Sequence, residues 1–522
     1  MIICTYEIQE NVHMYLEVFM SRKSTIPDDI LQYKPCPCCR VRNDNGTYRV
    51  YKYNSIKLPS GKWSSDWGYL IGKIIPGKGF SPNKRYKKEL EEQNKVPFSD
   101  SITDVSYGKY SLLMSLSEDV LKKLEECFSI EKAAQIYSYA LIMCANGFVY
   151  IDQIDDYYQE SILSVIHHNY GFKMGYTALS SLLHDLGMKT NPVKAFEQSL
   201  IDNSSKNIAI DGHVIRSCST ENDLAEPGYK TSLIKAPQVN LLVAYDIKQK
   251  LPLMYRTYRG SSVDKRSVVD LLESRSFSGT KFVADRGFFS ETVIKLMSQN
   301  GNTYIMPVPS NNKNFKRIKK TLAYTSGEFV YKSGNKNCAR IIYYEEQVDD
   351  TTRIIVFKDE DENNSKRKSY KQLMDAGESN YTQEKYDKFC DWWGVYFLQT
   401  NTDESADTVY ADYKARWSIE TFNNYIKNDA HFSNLKMQDY YVDHGFDFIM
   451  LVTGLIHSKL NDAVKRLNKP SISTFDILLK AGHMRMVCDD NKQWKLHNTR
   501  TKDLELLEQL GYVPDAIYAP AV

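Results

Sequence analysis

The spacing of apolar residues divides the chain into a strand-rich start, a helical stretch, a region of alternating strands and helices, and a mostly helical tail. Tyr48–Tyr51 and Tyr69–Ile75 are β-rich runs, with turn residues at Pro59-Ser-Gly61 and Pro76–Gly79. From 111 to 200 the period changes. Leu112, Leu113, Leu116, Val120, Leu121 and Leu124 recur at intervals of three and four, as on a helix with one buried side. Ala133–Cys144 and Tyr176–Leu186 continue that pattern.

From 207 short apolar runs alternate with helical ones. Asn207–Asp211, Leu241–Tyr245, Leu253–Tyr258, Lys281–Asp285 and Thr303–Val308 are strand candidates. Asp264–Glu273 and Thr292–Gln299 are helix candidates between them. Such alternation predicts a mixed α/β sheet with helical crossovers. Residues 309–393 interrupt the rhythm with two strands (Arg340–Tyr344, Arg353–Phe357) and charged helical sequence. Gly394–Thr400 restores a strand, and one long helix is expected over 405–427. The expected division is 1–104 β-rich and basic, suited to DNA binding; 105–204 helical; 205–308 with 394–442 one mixed α/β domain; 309–393 a break within it; 443–522 helical.

Composition adds little. With 522 residues, 25% charged and 42% hydrophobic, the chain is globular rather than disordered. Its formal net charge of +2 does not exclude a nucleic-acid partner, because binding follows local patches. The basic runs at 84–88 and 311–320 are such patches. In the second, Lys316, Arg317, Lys319 and Lys320 could clamp a DNA backbone, or form a solvated loop. Ten cysteines are too few for a disulfide scaffold. Cys36, Cys38 and Cys39 lack a zinc-ligand pattern, so reduced thiols are expected. No apolar run is long enough to span a membrane, and a cytoplasmic, nucleoid-associated protein is expected.

The informative residues are acidic. Asp211 and Asp285 each end an apolar strand, where an unpaired charge is costly and where ligands of α/β sheets bind. Taken alone, each could be a turn former. A third acid, Glu420, lies in the 405–427 helix with Tyr413, Arg416 and Lys427. At roughly 100° per residue these four fall near 0°, 300°, 340° and 320°, one stripe about 60° wide. Arg416 and Glu420 could be a surface i, i+4 pair, but Trp417, Ile419 and Phe422 predict a mostly buried helix. Three carboxylates that converge suit Mg2+ or Mn2+, and two such ions serve phosphodiester chemistry. His213, two residues after Asp211, points to the same side of its strand.

The spacing Tyr-x2-Arg-x3-Glu-x6-Lys resembles the signature of bacterial insertion-sequence DDE transposases. So do Asp211 in a DG strand end, Asp285 in ADRGF, Gly260–Asp264 and the Thr-Asn end of Val395–Asn401. The resemblance covers about 105–460. It implies an RNase H-like domain split by the 309–393 insertion, with Asp211, Asp285 and Glu420 as catalytic acids on two Mg2+ or Mn2+ ions. It also implies Tyr413, Arg416 and Lys427 on DNA, terminal inverted repeats and target DNA as partners, a homodimer in the synaptic complex, and 3′ end joining. Relatives cut through a hairpin and flip a base onto an aromatic side chain of the insertion. Trp392, Trp393 and Tyr396 are candidates for that role, or else core aromatics. Other RNase H-like nucleases, and a non-catalytic transposase derivative, are the alternatives.

Overall fold

The structure, a computed structural model, describes residues 26–36, 39–57, 63–93, 104–217, 222–228, 237–262, 264–332, 338–425, 439–489 and 493–518. Lys427, Cys38 and the 59–61 turn lie outside them. The chain forms two compact units, Met1–Ser101 and Ile102–Val522.

In the first unit four antiparallel strands follow one another in order: β1 (Cys39–Asp44), β2 (Thr47–Lys57), β3 (Trp63–Ile75) and β4 (Gly79–Pro82). Residues alternate between faces. Cys39, Val50, Ile71 and Ile74 point inward and pack with Ile26 and Ile30. The basic run at 84–88 opens the helix Lys84–Gln93, as a solvated helix face would. Cys36 and Cys39 are joined in a disulfide, which corrects the expectation of reduced thiols. Their Cα atoms lie 5.7 Å apart, within the range a disulfide spans.

The second unit is built on a ten-stranded mixed sheet. After β5 (Asp104–Ser106) and a helical region come β6 (Asn207–Arg216), β7 (Glu226–Pro227), β8 (Pro237–Asp246), β9 (Leu251–Arg259), β10 (Lys281–Ala284) and β11 (Thr303–Pro307). Then follow β12 (Gly327–Lys332), β13 (Cys338–Gln347), β14 (Arg353–Asp359) and β15 (Val395–Thr400). The order β9-β8-β6-β10-β11 has its first three strands antiparallel and its last two parallel to β6. That is the RNase H-like arrangement. β6 and β10 are buried on both faces (Ile208, Ala209 and Ile210; Phe282, Val283 and Ala284), which explains their continuous apolar runs.

β12, β13 and β14 extend this same sheet through β15. Sequence pattern marks 309–393 as an interruption, yet its backbone hydrogen bonds continue the same sheet. β12 was not among the expected strands. Its residues alternate intermediate and exposed, so it carries no buried apolar run to announce it.

The helix expected through 112–124 is two, Gly108–Leu116 and Glu118–Cys127. The Ser117 hydroxyl between them donates to the Leu113 carbonyl and meets the Tyr137 hydroxyl at 2.7 Å, a local bond that competes with helix continuation. The helix Tyr440–Arg466 buries Phe446–Ile456 and packs on Tyr176–Met188, Ile130–Asn146 and β9. Beyond it the tail, read as mostly helical, also contains β16 (Arg485–Cys488), β17 (Trp494–His497) and β18 (Ile517–Tyr518). These form a small sheet with β5. Among the described residues, no helix is long and apolar enough to cross a membrane.

Candidate active site

β6 and β10 run parallel with Ala284 opposite Ile210, so the next residues, Asp285 and Asp211, lie side by side where β10 ends. Asp285 closes its strand and caps a short turn of 3-10 helix, accepting from the Gly287 N–H. The expected 405–427 helix comes as Ala406–Ala415 and Trp417–Asn424, joined at Arg416. Arg416 keeps helical dihedrals, and its N–H is shared between the Asp412 and Tyr413 carbonyls. The junction is thus a tightened turn, and the polar stripe survives it.

Arg416 holds the site together. Its side chain is only 8% exposed, and its two terminal nitrogens lie 3.9 Å from Asp211 Oδ1 and 3.4 Å from Glu420 Oε1. The other Asp211 oxygen accepts from Asn423 Nδ2 at 2.9 Å. Burial raises the Asp211 carboxyl above its ordinary range. Arg416 and the Gly212 N–H oppose that rise, while Asp285 and Glu420 reinforce it. Asp211 therefore feels the charge of both other acids. Asn423 was missed from sequence, although it stands three residues after Glu420 on the same helix face.

Among the described residues, no group of three or more His, Cys, Asp or Glu side chains stands close enough to hold a metal ion. The convergence expected from sequence is therefore looser than a ligand cluster, with Arg416 supplying the positive charge between Asp211 and Glu420. The donor chemistry still suits a hard divalent cation. The groups are carboxylates, and burial and mutual repulsion disfavour the charge of Asp211. His213 Nε2, on the Asp211 side of β6, is buried without a hydrogen-bond partner among the described residues.

Tyr413 is buried. It packs edge-on against Tyr396, ring centroids 5.7 Å apart, and lies beside Arg416. Next to Asp285 opens a cleft of about 390 Å³, lined among others by Arg286, Lys319, Lys388, Trp392, Tyr396 and Tyr413. The three aromatic candidates separate here. Trp392 faces this cleft with Lys319 Nζ 4.1 Å from its ring centre. Tyr396 lines it too, but its hydroxyl is engaged by Glu362 and Lys414. Trp393 packs instead on Tyr370 and Tyr386.

The basic run is a helix, Lys313–Thr321, rather than a loop. Asn312 caps it, Ile318 is buried, and Phe315 packs at a tilt against Phe397, ring centroids 4.2 Å apart. Lys319 thereby faces the cleft. Arg317 pairs with Glu346, and Lys316 and Lys320 are exposed. Gly260, in the Gly260–Asp264 run, has no room for a Cβ, which would stand 2.1 Å from the Gln238 carbonyl.

No curated protein matches the chain. Among solved structures it is similar to a piggyBac transposase synaptic complex with hairpin DNA. The identity is 11%, with 74% of this chain and 81% of that chain covered, at a TM-score of 0.37. Residues 203–441 match the family "Transposase DDE domain". The segment that brings Asp211, Asp285, Arg416 and Glu420 together is thus similar to a transposase DDE domain.

Proposed function

We propose that the protein is a DNA transposase of the DDE type. It would bind terminal inverted repeats, hydrolyse a phosphodiester at each end and join the freed 3′ ends to target DNA as a homodimer. The observation that carries this reading is the juxtaposition of Asp211 and Asp285 on adjacent parallel strands, with Glu420 tied to Asp211 through Arg416.

Asp211, Asp285 and Glu420 would hold the divalent ions, Mg2+ or Mn2+. When bound, these supply Lewis-acid activation of water and stabilisation of the leaving oxygen. Arg416 fixes the orientation of two of the acids, and Asn423 fixes the second oxygen of Asp211. Tyr413, Arg286, Lys319 and Lys388 surround the cleft beside Asp285, where they can receive the phosphates of a DNA end. If the route includes a hairpin, Trp392 is the aromatic side chain placed to stack an unpaired base. Lys427 retains its proposed role on DNA by resemblance alone.

The test is cleavage of labelled end DNA, followed on a denaturing gel. Asp211→Asn, Asp285→Asn and Glu420→Gln are each expected to abolish metal-dependent nicking while DNA binding persists. Wild-type nicking by any one of them would sink the reading.

A further inference from the structure

The whole chain is nearly neutral, but residues 26–93 carry thirteen Lys and Arg against seven Asp and Glu. The register of the N-terminal sheet concentrates part of this excess in one place. Arg42 pairs directly with Arg49, and Arg49 with Lys73, so three cations stand in a row across β1, β2 and β3. Cross-strand neighbours share a face, and like charges directly opposite are destabilising. Asp44 is the acid that meets this row, 3.0 Å from Arg42 and 3.6 Å from Arg49. The Arg42 and Arg49 side chains are 67% and 49% exposed, and Lys73 is exposed as well.

The other face is the packed one, where Cys39, Val50, Ile71 and Ile74 meet Ile26 and Ile30. One step along the outer face, Arg40 is opposite Tyr51, and its guanidinium lies 3.9 Å from the Tyr53 ring centre. Strands are about 4.8 Å apart, so the Arg42–Arg49–Lys73 row spans about 10 Å. A row of that reach matches a run of backbone phosphates.

We propose that the outer face of the N-terminal sheet is a DNA-docking surface, on which Arg42, Arg49 and Lys73 contact successive phosphates. This rests on the transposase reading for the choice of DNA, and it assigns the face a role in affinity rather than in cleavage. Phosphate contacts carry no sequence information, so the face would strengthen binding to any duplex alike.

The experiment measures binding of fluorescent DNA duplexes of unrelated sequence to the full chain across a salt series. The slope of log affinity against log salt is about 0.9 per phosphate contact. The triple variant Arg42→Gln/Arg49→Gln/Lys73→Gln is expected to lose about 2.7 of that slope, equally on all duplexes. Arg42→Lys/Arg49→Lys/Lys73→Arg should keep it. Should the triple variant not fold, judged by circular dichroism, Lys73→Gln alone should lose about 0.9.

An unchanged slope in a folded variant would overturn the proposal. So would a loss confined to one DNA sequence, or one seen only with RNA duplexes. Failure of the two readings is distinguishable. If the wild type never nicks while the folded triple variant loses the expected slope, the catalytic reading fails and the face stands. If it nicks normally while the variant keeps its slope, the face fails alone.

Discussion

Arg416→Gln tests the electrostatics of the site without assuming any reaction. At 3.9 Å and an effective dielectric of about 20, the Arg416–Asp211 attraction is about 4 kcal/mol. The second partner, Glu420, is 41% exposed, so solvent screens its share to a small correction. Removing the guanidinium leaves Asp211 buried beside Asp285 and Glu420, all of which push its carboxyl further up. The folded variant then binds a proton that the unfolded chain releases, and stability falls as pH rises through that window. The destabilisation relative to wild type should shrink towards acid pH, where a protonated Asp211 needs no cation. It should grow by at most 1.36 kcal/mol per pH unit, to about 4 kcal/mol at neutral pH. Denaturant melts of wild type and variant across pH 4–8 measure this directly. In an Asp211→Asn background the same substitution should lose its pH dependence. A pH-independent difference in the Asp211 background would refute the coupling.

Other outcomes follow from named contacts. Although burial opposes ionisation, hydrogen bonds from Lys366, Tyr396 and Lys414 hold the Glu362 carboxyl down to about 2. This depressed acid stabilises above its unfolded value, and the gain is lost as pH falls from about 4.5 to 2. Glu362→Gln should therefore cost up to about 3 kcal/mol at pH 7 and almost nothing at pH 2, read by pH-dependent denaturation. Burial, and then Asp447, raises the Asp443 carboxyl to about 7, so its contribution to stability falls as pH climbs from about 4 to 7. Asp443→Asn should remove that fall and be the more stable form at pH 8, by up to about 4 kcal/mol in the same melts. Gly445 and Gly187 let the helices Tyr440–Arg466 and Tyr176–Met188 touch backbone to backbone. A Cβ at either would lie 1.9 Å from a facing carbonyl, of Leu183 or Tyr441. Gly445→Ala should destabilise by about 3 kcal/mol in thermal denaturation, and a wild-type melt would contradict this packing.

The acids of the site were legible because local sequence forces them into view. An apolar run that ends on Asp211 or Asp285 announces itself, although β6 continues past Asp211 to Arg216 because its backbone stays paired with β8, and helix periodicity alone puts Tyr413, Arg416 and Glu420 on one stripe. The strands around them were legible for the same reason, since burial on both faces writes continuous apolar runs such as Ile208–Ile210.

What the sequence could not decide is who meets whom across long separations. That Asn423 bonds Asp211, and that Arg416 stands between Asp211 and Glu420 and loosens the expected ligand cluster, follows from docking a helix near 416 onto a strand near 211. The continuation of the sheet into β12–β14 and the β5–β16 pairing depend on backbone hydrogen bonds, which carry no side-chain signature. The Arg42–Arg49–Lys73 row likewise appears only with register, because three scattered cations become neighbours when strands pair. Local chemistry thus determined which residues carry charge and where each sits on its element, and tertiary pairing decided which of them meet.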